Sequence, residues 1–143
     1  MRRQHVAESG VIERIELVNF MCHKRLTVPL GPQTNFIIGH NGSGKSAVLT
    51  GITIALGGKA AATSRANSLK SFVKEGCSAA EVVLWIKNRG MEAFKPDLYG
   101  PRIIIKRRIN ADGGGGWRME TSAGKIVSTK REELNAFCDH ANI

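Results

Sequence analysis

The chain has 143 residues, with 21 Lys and Arg against 12 Asp and Glu, for a formal charge of +9 at neutral pH. That length predicts one small domain or one lobe of a larger one, and 42% hydrophobic with 23% charged residues exclude a disordered protein. No apolar run approaches the roughly 20 residues that cross a bilayer, and no apolar stretch follows the basic start at Arg2-Arg3, so neither a membrane partner nor a secretory signal is expected.

Residues 1–9 read as a flexible basic tail and 10–143 as the folded unit. From Gly10 to Val18 the apolar positions Val11, Ile12, Ile15, Leu17 and Val18 interleave with Glu13, Arg14 and Glu16, which predicts a strand. A turn over Asn19–Arg25 leads to a second short strand at Leu26–Val28, and Pro29, Gly31 and Pro32 then mark a loop. Asn35–Ile38 is nearly all apolar and ends in glycine, the pattern of a strand buried on both faces. After Gly39–Ser46, the spacing of Ala47, Val48, Ile52, Ala55 and Leu56 predicts a helix, stopped by Gly57-Gly58.

A second helix is expected over Ser68–Glu75, closed by Gly76. Strands follow. Over Ala80–Lys87, Val82, Leu84 and Ile86 fall on one side, and Val83 and Trp85 on the other. Arg102–Ile109 is expected to pair with Trp117–Thr121 across a glycine-rich loop, and Lys125–Val127 forms a further short strand after Gly124. Thr129-Lys130-Arg131-Glu132 fits a capping box that opens a terminal helix, with Leu134, Phe137 and Cys138 as its apolar stripe. The three cysteines Cys22, Cys77 and Cys138 are odd in number and form no C-x-x-C pair. They point away from disulfides or zinc and toward a reducing compartment.

The chemistry concentrates at Gly39-His40-Asn41-Gly42-Ser43-Gly44-Lys45-Ser46, which matches G-x-x-x-x-G-K-[ST] between a predicted strand and a predicted helix. Successive backbone N–H groups can curl around phosphate oxygens only where side chains do not block the approach, and Gly42 and Gly44 remove them. The helix that follows aims its positive end at the same phosphates. Lys45 is expected to bridge the β- and γ-phosphates and Ser46 to place its hydroxyl on Mg²⁺, so ATP and Mg²⁺ are the expected cofactors. Hydrolysis also needs a carboxylate after an apolar strand and a residue that orients water. No apolar strand here ends in Asp or Glu, so the chain alone is not expected to turn over ATP.

Basic residues cluster at Lys24-Arg25, Lys106-Arg107-Arg108 and Lys130-Arg131. Each cluster alone reads as a solvated face, but their sum favours polyanionic partners, nucleic acid first. Lys106, Arg107 and Arg108 are the candidate DNA contacts. His23 reads as an exposed turn histidine, and Trp85 and Trp117 read as sheet packing.

Gly10–Phe20, Phe36-Ile37-Ile38-Gly39 and Gly42–Ser46 together resemble the amino-terminal ATPase lobe of the structural maintenance of chromosomes (SMC) proteins. Asn19–His23, Leu49–Ala60 and Ser68–Gly76 narrow the match. The resemblance implies an α/β fold, the P-loop lobe of an ABC-type ATPase head with an antiparallel β-subdomain. It also implies a longer protein, in which a coiled coil, hinge and carboxy-terminal lobe would complete the head. ATP would be sandwiched against a partner head, with structural maintenance of chromosomes protein 5 as the heterodimer partner. Kleisin and other non-SMC element subunits and DNA would complete the assembly, on chromosomes in the nucleus, in DNA repair and recombination. Arg65 matches the family's arginine loop and joins the nucleotide-binding set, and His23 falls in a segment that approaches the nucleotide in related heads. Many relatives carry a basic residue where this chain has Met21. Two other readings compete: a small-metabolite P-loop kinase, which the run of predicted antiparallel strands disfavours, and a DNA-binding module with a vestigial nucleotide loop, which the intact Gly44-Lys45-Ser46 disfavours.

Overall fold

A computed structural model describes residues 9–30, 42–57 and 66–141. Among the described residues six strands form one antiparallel sheet: β1 (Ser9–Phe20), β2 (His23–Pro29), β3 (Ala79–Asn88), β4 (Arg102–Asn110), β5 (Gly115–Thr121) and β6 (Ile126–Ser128), in the order β2-β1-β3-β4-β5-β6. Helix α1 (Gly42–Ala55), the short helix α2 (Pro96–Tyr99) and helix α3 (Arg131–Ala141) complete it, with a 3₁₀ helix over Ala66–Phe72.

Period-two alternation gives the sheet two unlike faces. The register aligns Val28, Ile15, Leu84, Ile105 and Met119 in one row, and Leu26, Leu17, Val82, Arg107 and Trp117 in the next. This inner face carries most of the core, with Ile15, Leu17, Val82, Leu84 and Ile105 fully buried. Its partner is α1, whose Ala47, Val48, Ile54 and Ala55 are buried while Leu49 faces outward. Gly51 sets how closely helix and sheet approach, because a Cβ there would lie 2.8 Å from Leu17 Cδ2 and 3.4 Å from Ile15 Cδ1.

The outer face is charged. Arg25 pairs with Glu16. Glu120, only 5% exposed, is held between Lys106 at 3.3 Å and Arg118 at 3.1 Å. Arg14 lies over Trp85, its guanidinium carbon 3.9 Å from the ring centroid, and Arg102 pairs with Glu13 at 2.8 Å. These four side chains line a shallow hollow of about 370 Å³ and satisfy one another across it.

Several expectations change. The turn after β1 is only Met21-Cys22, because β2 begins at His23. The helix expected over Ser68–Glu75 is a 3₁₀ helix that ends at Phe72. Phe72 stacks on Phe20 at 5.7 Å, its carbonyl accepts from Met21 N–H, and the Asn19 carbonyl accepts from Lys74 N–H, so docking on β1 decides the shape of this segment. The loop between β4 and β5 is shorter than expected, since Gly115 and Gly116 belong to β5. At the start of α3 it is Ser128 Oγ that accepts from Lys130 N–H, at 3.1 Å, in place of a Thr129 capping box. The strand expected at Asn35–Ile38 and the tail at 1–8 lie outside the described residues.

Candidate functional site

Helix α1 opens on Gly42-Ser43-Gly44, and no acidic residue occupies its first turn. A 14-residue helix carries about half a positive charge at this end. The amide end of α1 is therefore held by the sheet with no carboxylate in the same turn to neutralise it. Gly44 is buried and Ser46, two residues on, is exposed. Ala47 and Val48 next to them are buried against the sheet. This register makes one side of the helix start an anchor and leaves the Ser46 hydroxyl accessible, as a magnesium ligand requires.

Gly39, His40, Asn41 and Arg65 lie outside the described residues, as do the side chains of Ser43 and Lys45. His23 is not the exposed turn residue expected. It begins β2 opposite Phe20 and is half-buried, and its Nε2 is buried with no hydrogen-bond partner among the described residues. The adjoining Met21-Cys22 turn is bound to the end of the 3₁₀ helix, so this hairpin end is fixed in place.

The three candidate DNA contacts are not brought together on one surface. Lys106 and Arg108 point to the outer face, where Lys106 pairs with Glu120 and Arg108 Nε donates to Asn110 Oδ1 at 2.9 Å. Arg107, between them, points inward, and its guanidinium carbon lies 3.6 Å from the Trp117 ring centroid. Alternation along a strand forces this separation. Trp117 is a packing residue, as expected, and its Nε1–H donates to the Ala55 carbonyl at the end of α1, at 2.9 Å. Burial, and then the charge of Arg131, hold the Arg107 guanidinium below its ordinary range.

Sequence reasoning assigned nothing to 89–101. In the structure, Asn88 organises this stretch. Its Nδ2 donates to the Phe94 and Gly100 carbonyls at 3.0 and 2.9 Å, and its Oδ1 accepts from Phe94 N–H at 2.7 Å. No group of His, Cys, Asp and Glu suited to a metal occurs among the described residues, and no helix among them is long and apolar enough to cross a membrane.

The family model for the AAA domain matches residues 14–139. Structural maintenance of chromosomes protein 6 of Schizosaccharomyces pombe is 52% identical over 134 residues, which is 94% of this chain and 12% of that protein. Its Homo sapiens counterpart is 49% identical over 138 residues, 96% of this chain and 13% of that protein. The chain thus spans about an eighth of the length of these relatives. Among solved structures, an SMC ATPase studied for ATP-driven dimerization and DNA-stimulated activation superposes with a TM-score of 0.74 at 27% identity, covering 93% of this chain and 80% of that one. An Smc head bound to the C-winged helix domain of ScpA shares the fold, with a TM-score of 0.70 at 24% identity over 93% of this chain and 41% of that one. With its antiparallel sheet, P-loop helix and match along nearly its whole length, the chain belongs to the AAA domain family and shares the fold of SMC ATPase heads.

Proposed function

We propose that this chain is the ATP-binding part of the head of a chromosome-organising SMC protein. In this reading Gly39–Ser46 wraps the triphosphate, Lys45 bridges its β- and γ-phosphates, Ser46 holds Mg²⁺, and Arg65 reaches the nucleotide. ATP then drives engagement with a second head, that of structural maintenance of chromosomes protein 5, while kleisin and non-SMC element subunits join the assembly. Engagement is coupled to DNA entrapment in repair and recombination on nuclear chromosomes. The carboxy-terminal lobe of the same protein supplies the carboxylates that hydrolysis needs, and the partner head supplies its signature motif across the nucleotide.

The observation that carries this reading is the start of α1: an acid-free, glycine-built amide end anchored on the sheet, with Ser46 accessible beside it. The likeness to SMC heads, one of them studied for ATP-driven dimerization, supports the coupling to a partner. DNA contact draws on the +9 charge and on the outer-face cations, Lys106 and Arg108 among them, and is expected to weaken steeply with salt. Lys45→Ala in the assembled complex tests the reading. ATP-dependent crosslinking between the two heads is expected to fall at least tenfold, and engagement at the wild-type level would show that the loop is vestigial.

A further inference from the structure

Two guanidinium groups meet one indole at the C-terminal end of α1. Arg107 lies 3.6 Å from the Trp117 centroid, and Arg131, the first residue of α3, lies over the same ring at 5.2 Å. Arg131 Nη2 also comes within 3.7 Å of the Cβ position of Gly57, just past the end of α1. Neither arginine has a carboxylate within ion-pair distance, since every ion pair among the described residues involves other groups. Arg107 Nε is buried with no hydrogen-bond partner there. Glu132 cannot serve, because adjacent residues on a helix do not face each other, and Glu133 is taken by Lys95 and Tyr99.

The remainder of the sequence offers little that could supply the missing charge. Outside the described residues its only carboxylate side chain is Glu8. Its neighbour Ser9 pairs with Asn88, six residues along β3 from the Val82 that faces Arg107, or about 20 Å of strand. The 58–65 stretch that follows α1 adds only cations, Lys59 and Arg65. The C-terminal end of α1 offers about half a negative charge against two positive ones. Arg131 also sits at the N-terminal end of α3, where a cation is disfavoured. A pair of like charges, one of them half-buried, is costly to hold together without an anion.

We propose that Arg107, Trp117 and Arg131 form an acceptor site for a carboxylate side chain of a polypeptide that docks at the C-terminal end of α1. Guanidinium groups stacked on an aromatic face keep their edge N–H donors for in-plane acceptors, the geometry that matches a carboxylate. The half-buried position of Arg107 favours a single inserted side chain over a nucleic-acid backbone. Arg107 lies in the inner row of the sheet, whereas phosphate contacts are made by groups that reach out to a duplex surface, as the cations of the outer face do. The site is about 20 Å from the P-loop along α1 and does not depend on the nucleotide reading.

The test uses the intact protein in its assembled form. Wild type is treated with phenylglyoxal alone, with hexaglutamate as probe, or with duplex DNA, and modified arginines are read by mass spectrometry. Arg131, exposed in this chain, is expected to react at least fivefold more slowly than Arg108 in the assembly or once hexaglutamate is added. In the Arg131→Lys protein, a carbodiimide is expected to couple the amine introduced at position 131 to an Asp or Glu side chain of the assembly or the probe. Arg107→Ala is expected to reduce that coupling several-fold. Arg131 reacting as fast as Arg108 under every condition would overturn the proposal. Protection by duplex DNA alone, or protection without coupling to any carboxylate, would overturn it as well.

Discussion

Tyr99 is 1% exposed, and its hydroxyl donates to Glu133 Oε2 at 2.9 Å, joining α2 to α3 beside the Lys95–Glu133 ion pair. Burial, then the hydrogen bond to Glu133 and its charge, push the phenol well above its ordinary range. The native state thus keeps a proton that the unfolded chain releases near pH 10. The stabilisation is fully present below pH 10 and is lost as pH rises toward the raised value. Urea unfolding between pH 9 and 11 is expected to show a steeper loss of stability in wild type than in Tyr99→Phe, which costs about 1 kcal/mol at neutral pH. Equal slopes would show that the phenol is unperturbed. Neither this network nor the one around Asn88 was legible in the sequence. Phe94, Lys95 and Tyr99 lie in a short stretch broken by Gly90, Pro96 and Gly100 that sustains no period of two or 3.6, and Asn88 acts through backbone carbonyls six and twelve residues away. Spacing rules detect repeated burial, and a single buried amide holding an irregular segment leaves no such trace.

At the scale of elements, the alternation of β3 was legible because both faces are loaded with apolar groups: Val82, Leu84 and Ile86 inward, Val83 and Trp85 outward. The same rule separates Arg107 from Lys106 and Arg108, which the run of three basic residues conceals when read as a cluster. The 3₁₀ helix was misread because its Leu69 and Phe72 and the following Val73 fit a helical spacing, while its shape is set by stacking on Phe20 and by backbone bonds to β1. Glycine-rich turns have a sharper test. Gly115 has φ +144, and a Cβ there would collide with the Arg108 carbonyl oxygen, whereas nothing lies within 4 Å of that position at Gly116. Gly115→Ala is expected to destabilise by roughly 1–3 kcal/mol, and Gly116→Ala by no more than about 0.5 kcal/mol, read from urea midpoints. Equal effects would mean that the β4–β5 hairpin tolerates a side chain where its backbones meet.

For the whole molecule, the sheet serves as a platform. Its inner face positions α1 so that Ala47, Val48 and Gly51 pack down and Ser46 stays accessible. The proposed nucleotide loop rests on the sequence, where its chemistry would need glycines, a lysine and a hydroxyl at fixed spacing, and substitution by similar residues would destroy it. In the proposed reading, what the head engages would be carried by surfaces whose partners are other polypeptides, and no local pattern encodes them. The measurement that bears most directly on nucleotide binding is a titration of the assembled protein with Mg·ATP, comparing wild type with Lys45→Ala. Saturable binding in wild type, weakened at least a hundredfold by the substitution, is expected; absence of binding in wild type, or equal affinity in the two proteins, would contradict it.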